Sequence, residues 1–373
     1  MKKLLRIGVS VINDVRVDPR VHKTCTTLAR AGHQVTCFAR PTTDFPWPAP
    51  PPYHIQWLRP GAAGGKKMYA AFNYQLFQQL RRADFDLLWA NDLDTLLPMW
   101  LHARRRGIPL IYDTHEYFTG MAELAGRPLT RWMWKRLERA LFPRLQHIIT
   151  VNESVARLYE REYGKPIAII RNLPLRSDRR SRDVGQWAPP FRLIYQGALA
   201  VGRGLEMLLQ TMTRLPQDVV LDVVGDGPLR LHLEDFVRRE GLEKRVFFHG
   251  LVPFHALADH TAKAHLGLSI ESPDFTNSAL SLPNKLLDYL NQGLPVVVSD
   301  LPEHRRLVLR YGVGKILKAY SPEALAEAVL SVKEDRAFYQ TAAQRALAAA
   351  DSDLTWETQE PALLQIVADA AGL

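Results

Sequence analysis

Short apolar runs alternate with amphipathic stretches along the whole chain. The apolar runs of the first half predict strands at Leu4–Val11, Gln34–Phe38, Leu87–Ala90, Leu110–Tyr112, His147–Val151 and Ile167–Ile170. Apolar residues at helical spacing predict helices at Val21–Ala31, Tyr69–Arg82, Leu93–Arg105, Arg131–Phe142 and Ser154–Glu162. Strands that alternate with helices indicate a parallel sheet covered on both faces.

The second half repeats this pattern. Its predicted strands are Phe191–Tyr195, Val219–Val224, Val246–Phe248, Leu266–Ile270 and Pro295–Ser299. Its predicted helices are Leu205–Arg214, Leu229–Arg239, Phe254–His260, Pro283–Asn291, Pro322–Val332, Ala342–Ala350 and Trp356–Ala371. We therefore predict an α/β protein with two doubly wound Rossmann-like domains that face each other across a cleft, where ligands bind by default. The predicted domains are residues 1–172 and 191–352, joined by a polar, basic linker at 173–190 and followed by a terminal segment at 353–373.

Three glycine-rich turns follow strands of the second half. The first, Gln196–Gly204, contains Gly197, Gly202 and Arg203; the second contains Gly225 and Gly227; the third contains Gly250 and Leu251. Glycine lets a backbone approach a ligand closely, and arginine offers a fork of donors to phosphate oxygens. Each turn alone is equally compatible with a structural turn. Their convergence at one edge of a parallel sheet favours a ligand site.

The segment Ser281–Asp300 predicts a loop, a helix, a glycine stop and a buried strand. Pro283 suits the first turn of the helix, and Lys285 and Asp288 lie three residues apart on one face. Backbone N–H groups and Lys285 are suited to hold phosphate, while Asp288 is suited to accept hydrogen bonds from ribose hydroxyls. A solvated helix start remains the alternative.

Polar residues also follow strands of the first half. In the segment Asp14–Lys23, Asp18 is a candidate N-cap, and Arg20 either projects toward the cleft or is solvated. Further candidates at strand ends are Asn91, Asp92, His115 and Glu116. His115 and Glu116 are not a metal pair, because adjacent residues on a strand point apart. We therefore expect no metal site.

The segment Arg131–Phe142 is basic, aromatic and amphipathic. Trp132, Arg136 and Arg139 share one face, and Trp134 and Leu137 share another. Two interpretations stay open: a helix that lies on anionic lipid, or a surface helix packed through Trp134.

Charge is distributed unevenly along the 373 residues. The formal net charge is +9, but residues 1–187 carry 30 Lys and Arg against 16 Asp and Glu, while the remainder is mildly acidic. A basic half suggests an anionic partner, which is nucleic acid, a membrane surface or a phosphorylated substrate. The basic residues are scattered without a reader motif, so we expect no nucleic acid.

The hydrophobic content of 47% and charged content of 23% are globular values. The two cysteines, Cys25 and Cys37, lie in apolar elements and suggest free thiols in a reducing compartment. No run is long enough to span a bilayer, and Leu4–Val11 fits a strand better than a signal sequence. We expect a cytoplasmic protein, with peripheral attachment at the inner face of the membrane as an extension.

Taken together, the motifs resemble the retaining, metal-independent glycosyltransferases of family 4, which have the GT-B fold. The matching segments are Asp18–Lys23, Ala31–Val35, Ala90–Asp94, Tyr112–Glu116, Ile149–Ser154, Arg171–Pro174, Val224–Pro228, Leu282–Tyr289 and Gly293–Val296. The Pro-Asn-Lys sequence at 283–285 resembles a subgroup in which a paired-glutamate motif is altered.

The resemblance implies that the second domain binds a nucleotide sugar, UDP- or GDP-linked, without a further cofactor, and that the first domain binds the acceptor. It implies catalytic roles for His115, Arg203 and Lys285. Implied donor-binding residues are Gly197, Gly202, Gly225, Gly227, Gly250, Leu251, Ser281, Leu282, Pro283 and Asp288. Implied acceptor-side residues are Asp14, Arg16, Arg20, Asn91, Asp92 and Glu116. The terminal helix is expected to cross back to the first domain.

The sequence departs from the family pattern in three places. Leu280 and Asp288 stand where two glutamates are usual, with Glu271 or Ser281 as candidate substitutes for the first. Ala198 stands where many relatives carry arginine. The segment Asp14–Arg20 replaces a glycine pair.

The leading hypothesis is transfer of a sugar from a nucleoside diphosphate donor to an acceptor hydroxyl, with retention. A lipid-linked or glycan acceptor in bacterial-type cell-surface polysaccharide or glycolipid assembly suits the basic half. The alternatives are a non-catalytic nucleotide-sugar-binding or partner subunit, which Leu280 motivates, and a nucleotide-sugar epimerase.

Overall fold

The protein divides into two compact units. The computed structural model describes residues 3–42, 44–47, 49–61, 65–121, 124, 126–176, 179–180, 187–275 and 279–373. Unit 1 comprises residues 1–119, 123–172 and 359–373, and unit 2 comprises residues 173–358 with 120–122. Each unit has its own sheet and its own buried core.

Unit 1 contains a parallel sheet that, within the described residues, has seven strands. The strands are β1 (Arg6–Ser10), β2 (Gln34–Ala39), β3 (His54–Trp57), β4 (Leu87–Asn91), β5 (Leu110–Thr114), β6 (His147–Thr150) and β7 (Ala168–Ile169). Their order is β3-β2-β1-β4-β5-β6-β7. From β1 the strand order runs outward to β2 and β3 on one side and to β4–β7 on the other, so a topological switch point lies between β1 and β4. Ligands of such sheets bind at the carboxyl ends of the strands beside the switch point.

The helices of unit 1 are α1 (Pro19–Arg30), α2 (Gly65–Leu80), α3 (Asp92–Arg106), α4 (Pro128–Leu141) and α5 (Glu153–Tyr163). Asp18 caps α1 by accepting a hydrogen bond from the N–H of Val21, as predicted, and Pro19 follows as the first helical residue. The last helix of the chain, Glu360–Ala371, also belongs to this unit. Its Glu360 accepts a 2.8 Å hydrogen bond from Thr27 of α1.

Unit 2 contains a second parallel sheet, with six strands among the described residues. These are β8 (Phe191–Gln196), β9 (Val219–Val224), β10 (Val246–Gly250), β11 (Leu266–Ser269), β12 (Val296–Val298) and β13 (Gly314–Ile316), in the order β10-β9-β8-β11-β12-β13. Strands β9 and β12 are buried at every residue because both faces of the sheet are covered, and they are apolar apart from Asp222.

The helices of unit 2 are α6 (Leu205–Met212), α7 (Arg230–Arg239), α8 (Phe254–Thr261), α9 (Asn284–Asn291), α10 (Pro302–Tyr311), α11 (Pro322–Glu334) and α12 (Arg336–Ser352). The terminal helix of unit 1, Glu360–Ala371, is α13. Helices α6 and α11 pack on one apolar cluster with β8 and β9. Helix α9 packs on the other cluster with β12 and α12.

The sequence pattern predicted most of these elements but missed three of them. Strand β3 shows no clear alternation of buried and exposed residues, because three of its four residues are half-buried. Strand β13 is only three residues long and so gives a weak sequence signal. Helix α10 is polar, and four of its ten residues are buried. Pro283 was expected inside α9, but its extended backbone (ψ 136°) makes it the N-cap, so the helix begins at Asn284.

The segment predicted as a linker lies only partly within the described residues. Residues 177–178 and 181–186 fall outside them. Leu173 is fully buried in the α9 cluster, and Trp187 stacks edge-on against Phe191 at 4.8 Å. Both ends of the segment are therefore packed into unit 2.

Candidate active site

In unit 1, a group of polar side chains surrounds His115 at the carboxyl ends of β4 and β5. The register pairs Asn91 with Asp113, which brings the two strand ends together. Asn91 is buried; its amide donates to the carbonyl of Ser10 at 2.9 Å, which leaves its Oδ1 to face Nε2 of His115 at 3.1 Å. Asn91, Asp92 and His115 had been predicted separately as candidates at strand ends, and the structure brings them together.

Asp92 holds His115 through two contacts. One carboxylate oxygen accepts the backbone N–H of His115 at 2.9 Å, and the other lies 3.3 Å from Nδ1. Asp92 has φ of +58°, and among the described residues no other non-glycine residue has a positive φ. Such a conformation costs on the order of 1–3 kcal/mol and is typical of functional sites.

Both ring nitrogens of His115 thus face hydrogen-bond acceptors. Burial opposes protonation of the ring, but Asp92 and Asp113 outweigh it and raise the pKa of His115 to about 9. The ring is therefore an imidazolium at neutral pH. Because both N–H groups of the imidazolium already have partners, the ring, which is 18% exposed, acts on a ligand through its positive charge and is not a general base.

Behind His115, Arg20 and Asp113 form a buried ion pair. Arg20 is 2% exposed, and its Nε and Nη2 lie 3.0 and 2.7 Å from the two oxygens of Asp113. Its Nη1 donates to the carbonyl of Ile170 at 2.7 Å. The interpretation of Arg20 as a solvated side chain is wrong, because the carboxylate of Asp113 holds its guanidinium in the interior. Arg20 acts on the site through Asp113, and its positive charge also opposes protonation of His115.

Asp14 and Arg16 also have local partners. Asp14 is fully buried; it accepts from the backbone of Arg16 and Thr42 and pairs with the Arg16 guanidinium at 2.7 Å. These contacts fix the loop between β1 and α1. Glu116 is half-buried, and its carbonyl accepts from Thr114 at 2.8 Å.

Asp94 is a further candidate that the sequence did not single out. It lies in the first turn of α3, is 8% exposed, and its Oδ1 has no hydrogen-bond partner among the described residues. Burial raises the pKa of this carboxyl well above its usual value, and the nearby Asp92 adds to the effect. In the sequence it appeared only as the end of the matching segment Ala90–Asp94, where nothing local indicates that it is buried.

In unit 2, the three glycine turns form one layer at the carboxyl edge of the sheet. Gly197 donates to the carbonyl of Val224, and Gly225 donates to the carbonyl of Gly250. A Cβ on Gly225 would lie 1.9 Å from the carbonyl oxygen of Gly197, so glycine is required there by the neighbouring turn. Gly227 meets the backbone of Leu199 in the same way.

Gly197 differs from these glycines because no backbone packs against the position that its Cβ would occupy. It is exposed, has φ of +132°, and a Cβ would meet only the hydroxyl of Tyr195 at 3.8 Å. A ligand is therefore able to approach the backbone here. Gly202 accepts from the N–H of Ser272 through its carbonyl, which holds the turn before Arg203 against the end of β11.

Lys285, the predicted phosphate-binding cation, lies in the first turn of α9 and is paired. Its Nζ is 2.7 Å from Oε1 of Glu271 and 4.0 Å from the ring centroid of Tyr195. Glu271 is fully buried just after β11, and Ser269 donates to its Oε2 at 2.9 Å. Burial alone would raise the pKa of Glu271, but Lys285 outweighs it and lowers the pKa to about 2.

Arg203 lies near the same group. It is half-buried; its positive charge helps to lower the pKa of Glu271 and partly offsets the rise that burial causes in the pKa of Tyr195. Arg203 and Lys285 thus both act electrostatically on Glu271. Glu271, which had been only a candidate substitute for a missing glutamate, is the counter-ion of Lys285.

Asp288 is half-buried on α9 and accepts from the amide of Gln196 at 3.1 Å. Gln196 in turn accepts from the hydroxyl of Thr261 on α8 at 2.9 Å, so the amide that contacts this carboxylate is itself held in place. The loop before α9, with Ser281, Leu282 and Pro283, is half-buried. Leu251, next to Gly250, is 56% exposed.

The face of α4 that carries Trp132 is open, and the face that carries Trp134 is packed. Trp132 and Met133 are 58% and 51% exposed, whereas Trp134 stacks edge-on against Tyr69 and Phe118. Between α2 and α4 lies an apolar groove of about 410 Å³, bordered by Lys66 and Arg127 among others.

No helix within the described part of the chain combines the length and the hydropathy that crossing a membrane requires. The described residues also contain no group of three or more His, Cys, Asp or Glu side chains placed to hold a metal ion.

Comparisons with known proteins agree with this architecture. One relative, alpha-D-kanosaminyltransferase of Streptomyces kanamyceticus, is 20% identical over 66% of this chain and 67% of its own. The structure of Anabaena Alr3699/HepE in complex with UDP and glucose matches with a TM-score of 0.77 at 16% identity, covering 98% of this chain and all of that one. The structure of WaaG, a glycosyltransferase involved in lipopolysaccharide biosynthesis, matches at 0.73 and 15%, covering 96% and 99%. At these identities the structural matches establish the fold.

The sequence itself matches two consecutive family descriptions. Residues 19–173 match Glycosyltransferase Family 4, and residues 190–335 match Glycosyl transferases group 1. The two matches fall on unit 1 and unit 2 respectively. The chain therefore belongs to the family 4 glycosyltransferases and has the GT-B fold.

Proposed function

We propose that this protein transfers a sugar from a UDP-sugar to an acceptor hydroxyl, with retention of configuration at the anomeric carbon. The observation that carries the proposal is the convergence of Arg203, Lys285 and the open backbone at Gly197 at one edge of the unit 2 sheet. This edge offers cations to a diphosphate and lets it approach the backbone closely. The UDP bound to Anabaena HepE, which has the same fold, favours uridine over other bases.

The chemical role of these groups follows from charge. As the bond between the sugar and the diphosphate breaks, negative charge develops on the leaving oxygen. Arg203, Lys285 and the N-terminus of α9 are positive and are fixed before the reaction begins. These groups supply the electrostatic stabilisation, so the proposed reaction requires no metal ion.

We assign acceptor binding to unit 1, with His115 as the central group. Its imidazolium, whose two N–H groups face Asp92 and Asn91, places a positive charge beside the transferred sugar and the acceptor. Because it is protonated, His115 stabilises charge instead of removing the acceptor proton.

The donor class is tested by thermal unfolding in the presence of UDP-, GDP- and ADP-glucose. We expect stabilisation by the UDP-sugar, about 2.7 kcal/mol at a ligand concentration 100 times the Kd. The shift should be much smaller in Arg203→Gln and unchanged in Arg214→Gln, a matched variant at the far end of α6. Stabilisation by GDP- or ADP-glucose alone would contradict the choice of base, and no stabilisation by any of them would contradict the donor site.

The class of acceptor is a lipid-linked or glycan molecule of cell-surface polysaccharide or glycolipid assembly, with the protein at the cytoplasmic face of the membrane. Support comes from the open face of α4, where exposed Leu129, Trp132 and Met133 lie among arginines. Apolar side chains within a basic helix suit an anionic bilayer surface. The GT-B relative WaaG, which is involved in lipopolysaccharide biosynthesis, is consistent with this class.

Vesicle flotation tests the membrane-binding face. We expect the protein to float with vesicles that contain an anionic lipid and to remain behind with neutral vesicles, because each basic residue near an anionic surface contributes about 1 kcal/mol. Arg131→Gln with Arg136→Gln should abolish flotation at moderate salt. The equal charge change Arg238→Gln with Arg239→Gln on α7 should leave it intact. Equal loss in both pairs would indicate net charge instead of a specific face.

Leu280 stands where the family usually has a glutamate. The alternatives to a transferase are therefore a non-catalytic binding subunit and an epimerase. Incubation with the stabilising nucleotide sugar and no acceptor separates these functions. An epimerase would convert the sugar by itself, whereas a binding subunit would leave the donor intact under every condition. A transferase would release UDP slowly alone and faster with a suitable acceptor.

A further inference from the structure

A buried histidine lies behind the Lys285–Glu271 pair. His304, on α10, is fully buried, and its Nδ1 is 3.3 Å from the carbonyl oxygen of Ser299. A carbonyl only accepts, so Nδ1 carries the proton and Nε2 of the neutral ring is an acceptor. Nε2 has no hydrogen-bond partner among the described residues and lies 3.7 Å from Oε2 of Glu271.

The charges that face His304 come from three elements. Glu271 faces it from the end of β11 and Lys285 from α9, while Glu303 lies on its own helix and is paired with Arg306 at 2.9 Å. With Lys285 on Glu271, the carboxylate already has a counter-ion. Burial then lowers the pKa of His304, so the ring is neutral in this arrangement.

A bound diphosphate changes that balance. Lys285 is the cation that the proposed donor site offers to phosphate, yet its Nζ is only 2.7 Å from Glu271. When the ammonium turns toward the phosphate, a fully buried carboxylate loses its counter-ion. An unpaired buried charge is strongly unfavourable, so another positive charge is needed beside Glu271.

We propose that His304 supplies this charge: binding of a diphosphate at Lys285 is coupled to uptake of a proton from solvent by Nε2 of His304. The added proton converts Nε2 from an acceptor into a donor that faces Oε2 of Glu271. His304 and Glu271 are thus positioning residues that release Lys285 for the phosphate. The inference rests on the proposed donor site.

Isothermal titration calorimetry with UDP-glucose tests the coupling. The diphosphate of UDP-glucose has no group that titrates near neutral pH, so protons taken up belong to the protein. Measured at pH 7 in buffers of different ionisation enthalpy, the apparent binding enthalpy should vary with the buffer by an amount that corresponds to about one proton. Affinity should fall as the pH rises, by up to about tenfold per pH unit.

Two variants locate the proton. His304→Gln should still bind UDP-glucose, but its binding enthalpy should no longer depend on the buffer. His102→Gln removes another buried histidine, in unit 1, and should behave as the unaltered protein does. Binding without proton uptake, or uptake that survives in His304→Gln, would overturn the inference and leave the donor site standing.

A ligand-free measurement separates the inference from the donor assignment. Lys285→Met removes the ammonium as the bound phosphate is proposed to do. Histidine NMR spectra of this variant should show one additional imidazolium at neutral pH, absent in Lys285→Met with His304→Gln. If the ring stays neutral, Glu271 takes the proton itself and the inference fails, whether or not any donor binds.

Discussion

Replacing Arg20 by leucine should lower the free energy of unfolding by about 3–5 kcal/mol, because it leaves the Asp113 carboxylate buried without its partner. Both side chains are almost completely inaccessible, and the guanidinium makes two contacts to the carboxylate and one to a backbone carbonyl. None of these partners gains access to water when the arginine is removed. Denaturant unfolding of unit 1 is the measurement.

The pH dependence of this loss has a defined sign. Burial would raise the pKa of Asp113, but Arg20, with a further contribution from the His115 imidazolium, outweighs it and lowers the pKa to about 2. A depressed pKa stabilises the folded state above the unfolded value near 4, and that stability is lost as the pH falls toward 2. The difference between Arg20→Leu and the unaltered protein should therefore be largest at neutral pH and shrink in acid.

Arg6→Leu is the matched control. Arg6 also makes a two-pronged contact to an aspartate, Asp86, but the two side chains are 49% and 31% exposed. Exposed ion pairs contribute about 0–1 kcal/mol. If Arg6→Leu and Arg20→Leu cost the same, burial would not be what makes the Arg20–Asp113 pair important.

The same pair shows where sequence reasoning reaches its limit. A proline and an N-cap identified the start of α1, so the position of Arg20 at a helix start was predictable. Its direction was not, because Asp113 lies 93 residues away and becomes its neighbour only when the sheet forms. A charged residue at a helix start usually faces water, and nothing local signals an exception.

In unit 2, the sequence predicted Arg203 and Lys285 as site cations, but it did not predict that Glu271 pairs with Lys285. Lys285 was predictable from its motif at a helix start after an apolar strand. Glu271 follows a short apolar strand and carries no local sign of burial. Its role depends on the register of β11 beside β8 and β12, which brings it under α9. Glycine turns were predicted correctly, but at Gly225 the reason is a neighbouring backbone and not a ligand.

Arg203→Gln should lower the rate of sugar transfer by about 10²–10³, equivalent to 2.7–4 kcal/mol of transition-state stabilisation, as for the loss of one fixed donor to a developing oxyanion. Arg203 is half-buried and its charge acts on Glu271 across the site. Removing it leaves the Lys285–Glu271 pair intact, so the fold should be unaffected. The rate of UDP release, with the best acceptor found or with water alone, is the measurement, and Arg214→Gln is the control.

Lys285→Met should produce a comparable loss, but the single variant mixes two effects. It removes a cation from the leaving group, and it also takes the ammonium from buried Glu271, so that the carboxylate is balanced only by a proton on His304, which burial disfavours; this destabilises the fold by itself. Lys285→Met combined with Glu271→Gln separates them, because the neutral amide needs no counter-ion. This double variant should regain the unfolding free energy lost by Lys285→Met while its transfer rate stays low. If restoring stability also restored the rate, Lys285 would hold the fold together without stabilising the leaving diphosphate, and Arg203 would be the main cation of the reaction.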